Sequence, residues 1–382
     1  MLHDIRWTSQ KIAKYLELIE PLVYRSKIPL QSFSYYELEN PADKPIISSG
    51  MDDRDWQEIQ ANSCWGGVDK NFVLRTSFHI PTDWGDDTPI ALYLPIGIAG
   101  DFSHPEALVY IDGESFAAVD RHHQEVILPG PITRDVSYSL TLHGWTGNLS
   151  QGKLPSLLMG ECCLVEIDQA TRDFISLARV AHGIADQLDR NDPIRAQLLT
   201  SLNQAFNLLD TREPLGKDFY ASVPDAFHSL EEGVKLSGPP QEIQITAAGH
   251  AHIDIAWLWT LAQSRQKAGR TFHNVIRLME QYPEFTFSQS QAQLYEFVRQ
   301  DYPELFDHIC KKIKEGQWEP LGGTWVEADC NISGGEALVR QLLLGRSYFR
   351  QHFGEGAESP VLWLPDVFGF PWSLPQLIKE AG

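Results

Sequence analysis

The sequence is poor in everything that would take it away from ordinary soluble globular chemistry. Its five cysteines are an odd number with no CxxC pair, which excludes a disulfide framework and points to a reducing compartment. No apolar run approaches the roughly 20 residues of a membrane span. Positive charge is scarce: 31 Lys and Arg stand against 51 Asp and Glu, a net charge of −20, and such a field repels phosphate backbones and anionic lipid heads. Nucleic acid and membranes are therefore excluded as expected partners. Met1 to Ser26 mixes charged with apolar residues and lacks a continuous apolar core, so it does not read as a signal peptide, and a cytoplasmic protein is expected. No glycine-rich phosphate loop or dinucleotide fingerprint is found, which removes nucleotide cofactors. Internal repeats and low-complexity runs are absent too. What remains is 382 residues, 43% hydrophobic and 11% aromatic, enough for two to four packed domains.

The hydrophobic period changes along the chain. Ile12, Tyr15, Leu16, Ile19, Leu22 and Val23 have helical spacing, with Thr8 or Ser9 available as N-cap. From about Cys64 to Ile167 period two takes over, as in Phe72 to Ile80 and Val136 to Leu142, and reads as strands of an antiparallel sandwich. Within it, Ala107 to Ile111 followed by Asp112-Gly113 signals a hairpin. Phe174, Leu177, Ala181, Ile184 and Leu188, then Leu198, Leu202, Phe206 and Leu209 after the Asp192-Pro193 break, describe two amphipathic helices. Thr211 to Pro240 is richer in Gly, Pro and charge and ends in Ser237-Gly238-Pro239-Pro240, a boundary signal.

Beyond it, strand and helix signals alternate as in parallel βα units. Strands are expected at Ile243 to Ala248, Phe285 to Phe287, Trp318 to Gly322 and Val361 to Leu364. The helices between them carry Phe272 to Met279, run from Gln291 to about Glu315 and from Gly335 to about Phe353, and a last one starts at Leu374. Four parallel strands close no barrel, so a fragment of a longer protein is expected. The fold class expected is an N-terminal β-sandwich-like domain with helical segments, followed by an incomplete parallel β/α barrel. The division expected is 1–45 (helix and lead-in), 46–167 (sandwich-like, non-catalytic), 168–240 (helical connector and linker) and 241–382 (β/α unit).

Sites in α/β folds form at the carboxyl ends of parallel strands. Gly249-His250-Ala251-His252-Ile253-Asp254-Ile255-Ala256-Trp257-Leu258-Trp259 follows the first such strand. In extended geometry, period two puts His250, His252 and Asp254 on one side, an imidazole and carboxylate set suited to zinc, cobalt or another first-row dication. The plainer reading is three polar residues satisfied by backbone carbonyls. Asp366, in Trp363-Leu364-Pro365-Asp366-Val367-Phe368-Gly369, is the first polar group to leave the fourth apolar run. It suits a ligand or a nucleophile, or a helix N-cap. Gly322 to Asn331 carries Glu327 and Asp329, for which loop scaffolding is at least as good a reading.

Together these strings resemble family 38 of the glycoside hydrolases, the class II α-mannosidases of cytosolic and bacterial type. The resemblance rests on HAHIDxAWLW at His250 to Trp259, SQxQ from Ser290, GGTWVExD at Gly322 to Asp329 and WLPDxFG at Trp363 to Gly369. It implies a retaining α-mannosidase acting on terminal α-D-mannosides of oligosaccharides, and that 241–382 holds the first four βα units of a seven-stranded barrel. It implies that His252, Asp254 and Asp366 bind a divalent ion, zinc or cobalt, that Asp366 is also the nucleophile, and that Trp257 stacks on the sugar. His250 and Asp329 belong to the supporting shell in this reading, and Glu327 is implied only to be near the site. A homo-oligomer is in keeping with such relatives. The family's fourth ligand and acid/base residue would lie beyond Gly382, so the isolated chain is expected to be inactive.

Two other readings stay open. In a metal-dependent amidohydrolase-like barrel, His250 and His252 would be the ligand pair. In a carbohydrate-binding remnant, the sandwich would hold glycans through Trp84, His143 and Trp145.

Overall fold

Strands begin well before Cys64, at Tyr24–Pro29 and Phe33–Leu38, directly after the first helix, Thr8–Ile19, and a short 3-10 turn. The computed structural model describes residues 7–48, 51–85, 88–97, 104–130, 132–148, 156–239 and 241–381; Pro240 and Gly382 lie outside them. Two antiparallel sheets follow. One has four strands in the order Tyr24–Pro29, Cys163–Ile167, Ile90–Tyr93, Glu125–Ile127. The other has six, Gln57–Ile59, Phe33–Leu38, Asn71–His79, Ser137–Trp145, Glu106–Ile111 and Glu114–Val119. Alternation places Phe72, Leu74, Leu92, Val109, Leu140, Leu142 and Leu164 in one buried cluster between them, each such side chain contributing about 1.5–3 kcal/mol by leaving water. The Asp112-Gly113 hairpin forms, with φ of 51° and 89° at the two turn residues, the conformation a tight primed turn demands.

The first helix packs with Gln169–Gln187, Pro193–Leu208 and Lys217–Ser237 around a second apolar cluster. Its N-cap is Trp7, without a side-chain hydrogen bond, so neither Thr8 nor Ser9 caps it. Asp168 and Asp192 do cap their helices, accepting from the N–H groups of Thr171 and Ile194. The buried face of Gln169–Gln187 is Phe174, Ile175, Ala178, Ala181 and Ala185, rotated from the expected one so that Ile184 is exposed. The Gly- and Pro-rich segment after Thr211 is mostly helical. Lys217–Ser237 runs through Pro224 because Phe219, Val223, Ala226 and Leu230 bury a continuous face, which offsets the hydrogen bond proline removes.

In the last part three short parallel strands, Gly249–His250, Phe287–Gln289 and Trp318–Pro320, form one sheet in that order. The first pairs only at its end. Ile243 to Ala248 make no ladder, and Ile245 is 84% exposed, because no described strand lies on that edge. Val361 to Leu364 are not a strand either; Leu362 and Leu364 pack instead on Cys330, Leu338 and Leu374. Helix Leu261–Gln281 buries Phe272, Val275, Ile276 and Met279 as expected. The next helix is broken into Ala292–Asp301 and Pro303–Glu315, since Pro303 holds Tyr302 at φ −137°, ψ 66°, outside the helical region.

Helix Leu261–Gln281 also joins this unit to the sandwich. Gln263 donates to Asn71 Oδ1 at 2.6 Å, Asn274 Oδ1 accepts from the Ala118 N–H at 2.7 Å, and Glu106 is paired with Lys267 and with Arg270 at 2.9 Å. Burial alone would push the Glu106 carboxyl up, but the two cations outweigh it and hold it below the usual range. Among the described residues no helix is long and apolar enough to cross a membrane.

Candidate metal and substrate site

Loops leave the carboxyl ends of all three parallel strands, and the site is built from them together with the segment after Val361 to Leu364, which carries Asp366. The chain turns after His250 and carries His252 and Asp254 onto the sheet edge, where they meet Asp366. One ligand atom from each of the three lies within 4.8 Å of the others. His252 Nε2 is 3.3 Å from Asp254 Oδ1 and 3.7 Å from Asp366 Oδ2.

His250 is not in this group, because both its ring nitrogens are committed. Nδ1 donates to the Ser288 carbonyl at 2.8 Å, and Nε2 accepts from the Trp363 indole at 3.1 Å. A carbonyl can only accept, so the ring is neutral with its proton on Nδ1. His250 thus ties the first strand to the second and to Trp363, three residues before Asp366.

The loop bearing Asp366 is held from two further sides. Gly322 has φ 87°, and a Cβ there would stand 3.0 Å from the Trp363 Cβ, so glycine at this position allows the close approach of Trp363. Asn331 donates to the Phe368 carbonyl at 3.0 Å. Asp366 caps no helix, since the next one begins at Leu374.

Glu327 and Asp329, two residues apart, have different surroundings. Asp329 accepts from the backbone N–H groups of Asn331 and Ile332 and is not a member of the ligand group. Glu327 is turned inward: its Oε1 accepts from Ser290 Oγ at 2.5 Å and its Oε2 is 2.8 Å from His252 Nδ1. Burial pushes its carboxyl up, opposed by Ser290, His252 and His250. Gln291, at φ 64°, a conformation uncommon outside glycine, accepts from the Glu327 N–H at 3.1 Å and donates to the Ile253 carbonyl at 2.8 Å. In the sequence Ser290 and Gln291 stand out only as part of the SQxQ string. Nothing in their spacing announces that their side chains bridge two other loops.

Trp257 is 50% exposed and meets Trp259 edge to face at 5.3 Å; Trp259 is anchored by its N–H to Ser264 Oγ at 2.9 Å. The sandwich candidates do not reach a surface. Trp84, His143 and Trp145 are buried, and Trp145 donates to Asp69 at 2.7 Å, so they offer little face to a glycan.

An α/β unit with one imidazole and two carboxylates gathered at the carboxyl ends of its parallel strands has the layout of an enzyme domain. Residues 242–382 match the model of the glycosyl hydrolases family 38 N-terminal domain, and through this segment the chain belongs to that family. The similarity extends beyond it. Alpha-mannosidase 2C1 of Homo sapiens is 32% identical over 344 residues, 86% of this chain and 31% of that protein. Alpha-mannosidase of Saccharomyces cerevisiae is 36% identical over 181 residues (47% of this chain, 16% of that one), and alpha-mannosidase G of Dictyostelium discoideum 43% over 141 (37% and 13%). This chain spans about 31% of the human relative's length.

Proposed function

We propose that this chain carries the nucleophile and metal-binding part of a retaining α-mannosidase that hydrolyses terminal α-D-mannosides of oligosaccharides. The observation that carries this reading is the convergence of His252, Asp254 and Asp366 within 4.8 Å. The donor set, one borderline nitrogen and two hard carboxylates, fits zinc or cobalt. Such an ion, when bound, supplies a template for two adjacent sugar hydroxyls, and the cis pair that mannose presents at C2 and C3 suits it.

The protein's own groups have separable tasks. Asp366 attacks the anomeric carbon while the C–O bond to the aglycone breaks and that oxygen takes a proton from an acid; water then cleaves the glycosyl ester, and two inversions retain the configuration. The half-exposed Trp257 offers an indole face to the apolar side of the ring. His250 holds Trp363, and with it the stem of the nucleophile loop. In this reading the acid, about 5–5.5 Å from the nucleophile, and a fourth metal ligand come from sequence outside these 382 residues. The three-stranded sheet is then part of a larger barrel, the site of action is the cytoplasm, and the isolated chain is inactive. An amidohydrolase-like site would need a free ring nitrogen on His250, and both are engaged.

The test is turnover of an aryl α-mannoside by the full-length gene product, with the anomer of the first-formed mannose read by NMR. Retention, loss of activity on chelation, and a fall of about 10³-fold or more in D366N are expected. Unchanged rates after metal removal, or inversion, would refute the mechanism.

A further inference from the structure

Trp257-Leu258-Trp259 lies in the loop between the first parallel strand and helix Leu261–Gln281 and has no strand or helix structure of its own. Its two indoles are held differently. Trp259 directly precedes Thr260, whose side chain caps that helix by accepting from the Gln263 N–H. The Trp259 N–H donates to Ser264 Oγ at 2.9 Å, and the fully buried Ser264 donates in turn to the Asp254 carbonyl at 2.8 Å. Over the Trp259 ring stands Lys267 Nζ, 4.6 Å from its centroid, a largely buried cation paired with Glu106 of the sandwich. A helix start, a buried hydroxyl and a paired cation thus fix this ring on several sides. Trp257 is half exposed and meets Trp259 edge to face, with the ring planes 82° apart, an arrangement that the aromatic quadrupoles favour. Asn148, also of the sandwich, donates to the Leu258 carbonyl between the two.

We propose that Trp259 is a positioning residue: seated on Ser264 and on the Glu106–Lys267 pair, it fixes the indole of Trp257 so that its face is already turned to the sugar when the substrate arrives. This rests on the mannosidase reading above, in which Trp257 meets the sugar ring. A half-exposed side chain gives up rotamer freedom when a ligand stacks on it, and a neighbour that removes that freedom beforehand strengthens binding without touching the ligand. Through Glu106 the sandwich contributes to this hold. A Trp259 that only fills space in the loop would change stability, and its loss would weigh equally whether or not Trp257 is present.

The experiment is a double-mutant cycle in the full-length gene product. W259L and W259F are each made in the wild type and in W257A, kcat and KM are measured for an aryl α-mannoside, and folding is followed by thermal melting. In the wild type, W259L is expected to raise KM about 3–10-fold, the worth of one aromatic pair, with a smaller change in kcat. W259F, which keeps an aromatic ring but loses the N–H that binds Ser264, is expected to raise it less. In W257A the same substitutions are expected to change KM by less than about 1.5-fold, because the platform they act on is gone. A loss of equal size in both backgrounds, or none in the wild type, would overturn the proposal. Should W259L fail to fold, W259F decides by the same criterion. If the wild type cleaves no α-mannoside, the mannosidase reading falls, and the hold of Trp259 on Trp257 is decided by 19F NMR of protein carrying 5-fluorotryptophan, with the Trp257 signal assigned through W257F. A signal that is single in the wild type and broadened or split in W259L or W259F upholds that hold, and one equally sharp in the variants overturns it.

Discussion

His273 makes the junction between the sandwich and the α/β unit sensitive to acid. It lies buried on helix Leu261–Gln281, with Nδ1 donating to the Gly269 carbonyl at 2.8 Å and Nε2 accepting from Ser115 Oγ, across the junction, at 2.9 Å. Burial pushes its pKa down from 6.5 to about 4; the Gly269 carbonyl opposes this, and the nearby charges of Arg277 and His308 add to it. Above pH 6.5 neither the folded nor the unfolded state carries the proton, and the full stability is present. As pH falls below 6.5 the unfolded chain takes up the proton first, so stability declines until about pH 4, where the folded state protonates too. The gap between 6.5 and about 4 amounts to about 3 kcal/mol in total, of which about 1 kcal/mol is lost between pH 7.5 and 5.5. Urea unfolding followed by tryptophan fluorescence at these two pH values, in the wild type and in H273Q, isolates this group, because every other titrating residue is common to both. The wild type is expected to lose about 1 kcal/mol more than the variant. Equal losses would refute the assignment of His273 as a neutral, buried bridge.

Two other substitutions probe the same framework. Glu106→Ala leaves Lys267 and Arg270 facing each other without their shared carboxylate, and a loss of about 3–5 kcal/mol is expected in chemical denaturation; a loss below about 1 kcal/mol would show that water reaches those cations. Asp254→Ala removes a member of the ligand group, whereas His250→Ala removes only the acceptor of the Trp363 N–H. Cobalt affinity is accordingly expected to fall more in D254A than in H250A, and the reverse order would restore His250 as a ligand.

How far the sequence reaches depends on how local each cause is. The Asp112-Gly113 turn, the Asp192-Pro193 break and the apolar face of Leu261–Gln281 follow from neighbouring residues, and all are legible. The breaks are less so. Pro224 is absorbed within a helix whose apolar face is continuous, while Pro303, at the start of a new one, separates two. Exposure of Ile245 likewise depends on which strand lies beside it, a matter of distant sequence. In the site, His252 and Asp254 can be picked out as polar groups just beyond a strand, and Asp366 as the first polar group after an apolar run. That His250 turns away cannot be, because its partners Ser288 and Trp363 are remote in sequence.

The division of labour between the two histidines follows from what lies behind each ring. His250 has a carbonyl on one nitrogen and an indole N–H on the other, so no lone pair remains, and its role is to carry the position of the second strand through to Trp363 and the Asp366 loop. His252 has one carboxylate beside Nδ1 and two beside Nε2, so Nε2 faces the place where a cation would gain most. One residue of separation along the chain thus places similar side chains in opposite roles, one as a strut and the other as a candidate ligand. Ser288, Ser290 and Gln291 from the second strand's end and Glu327 from the third's make that separation hold. A metal would then enter a site whose imidazole is already turned and whose nucleophile loop is already tethered, so little of its binding free energy would go into ordering the protein. The same tethers keep Asp366 near Nε2 in the metal-free chain, which accounts for the three ligand atoms standing together before any cation unites them.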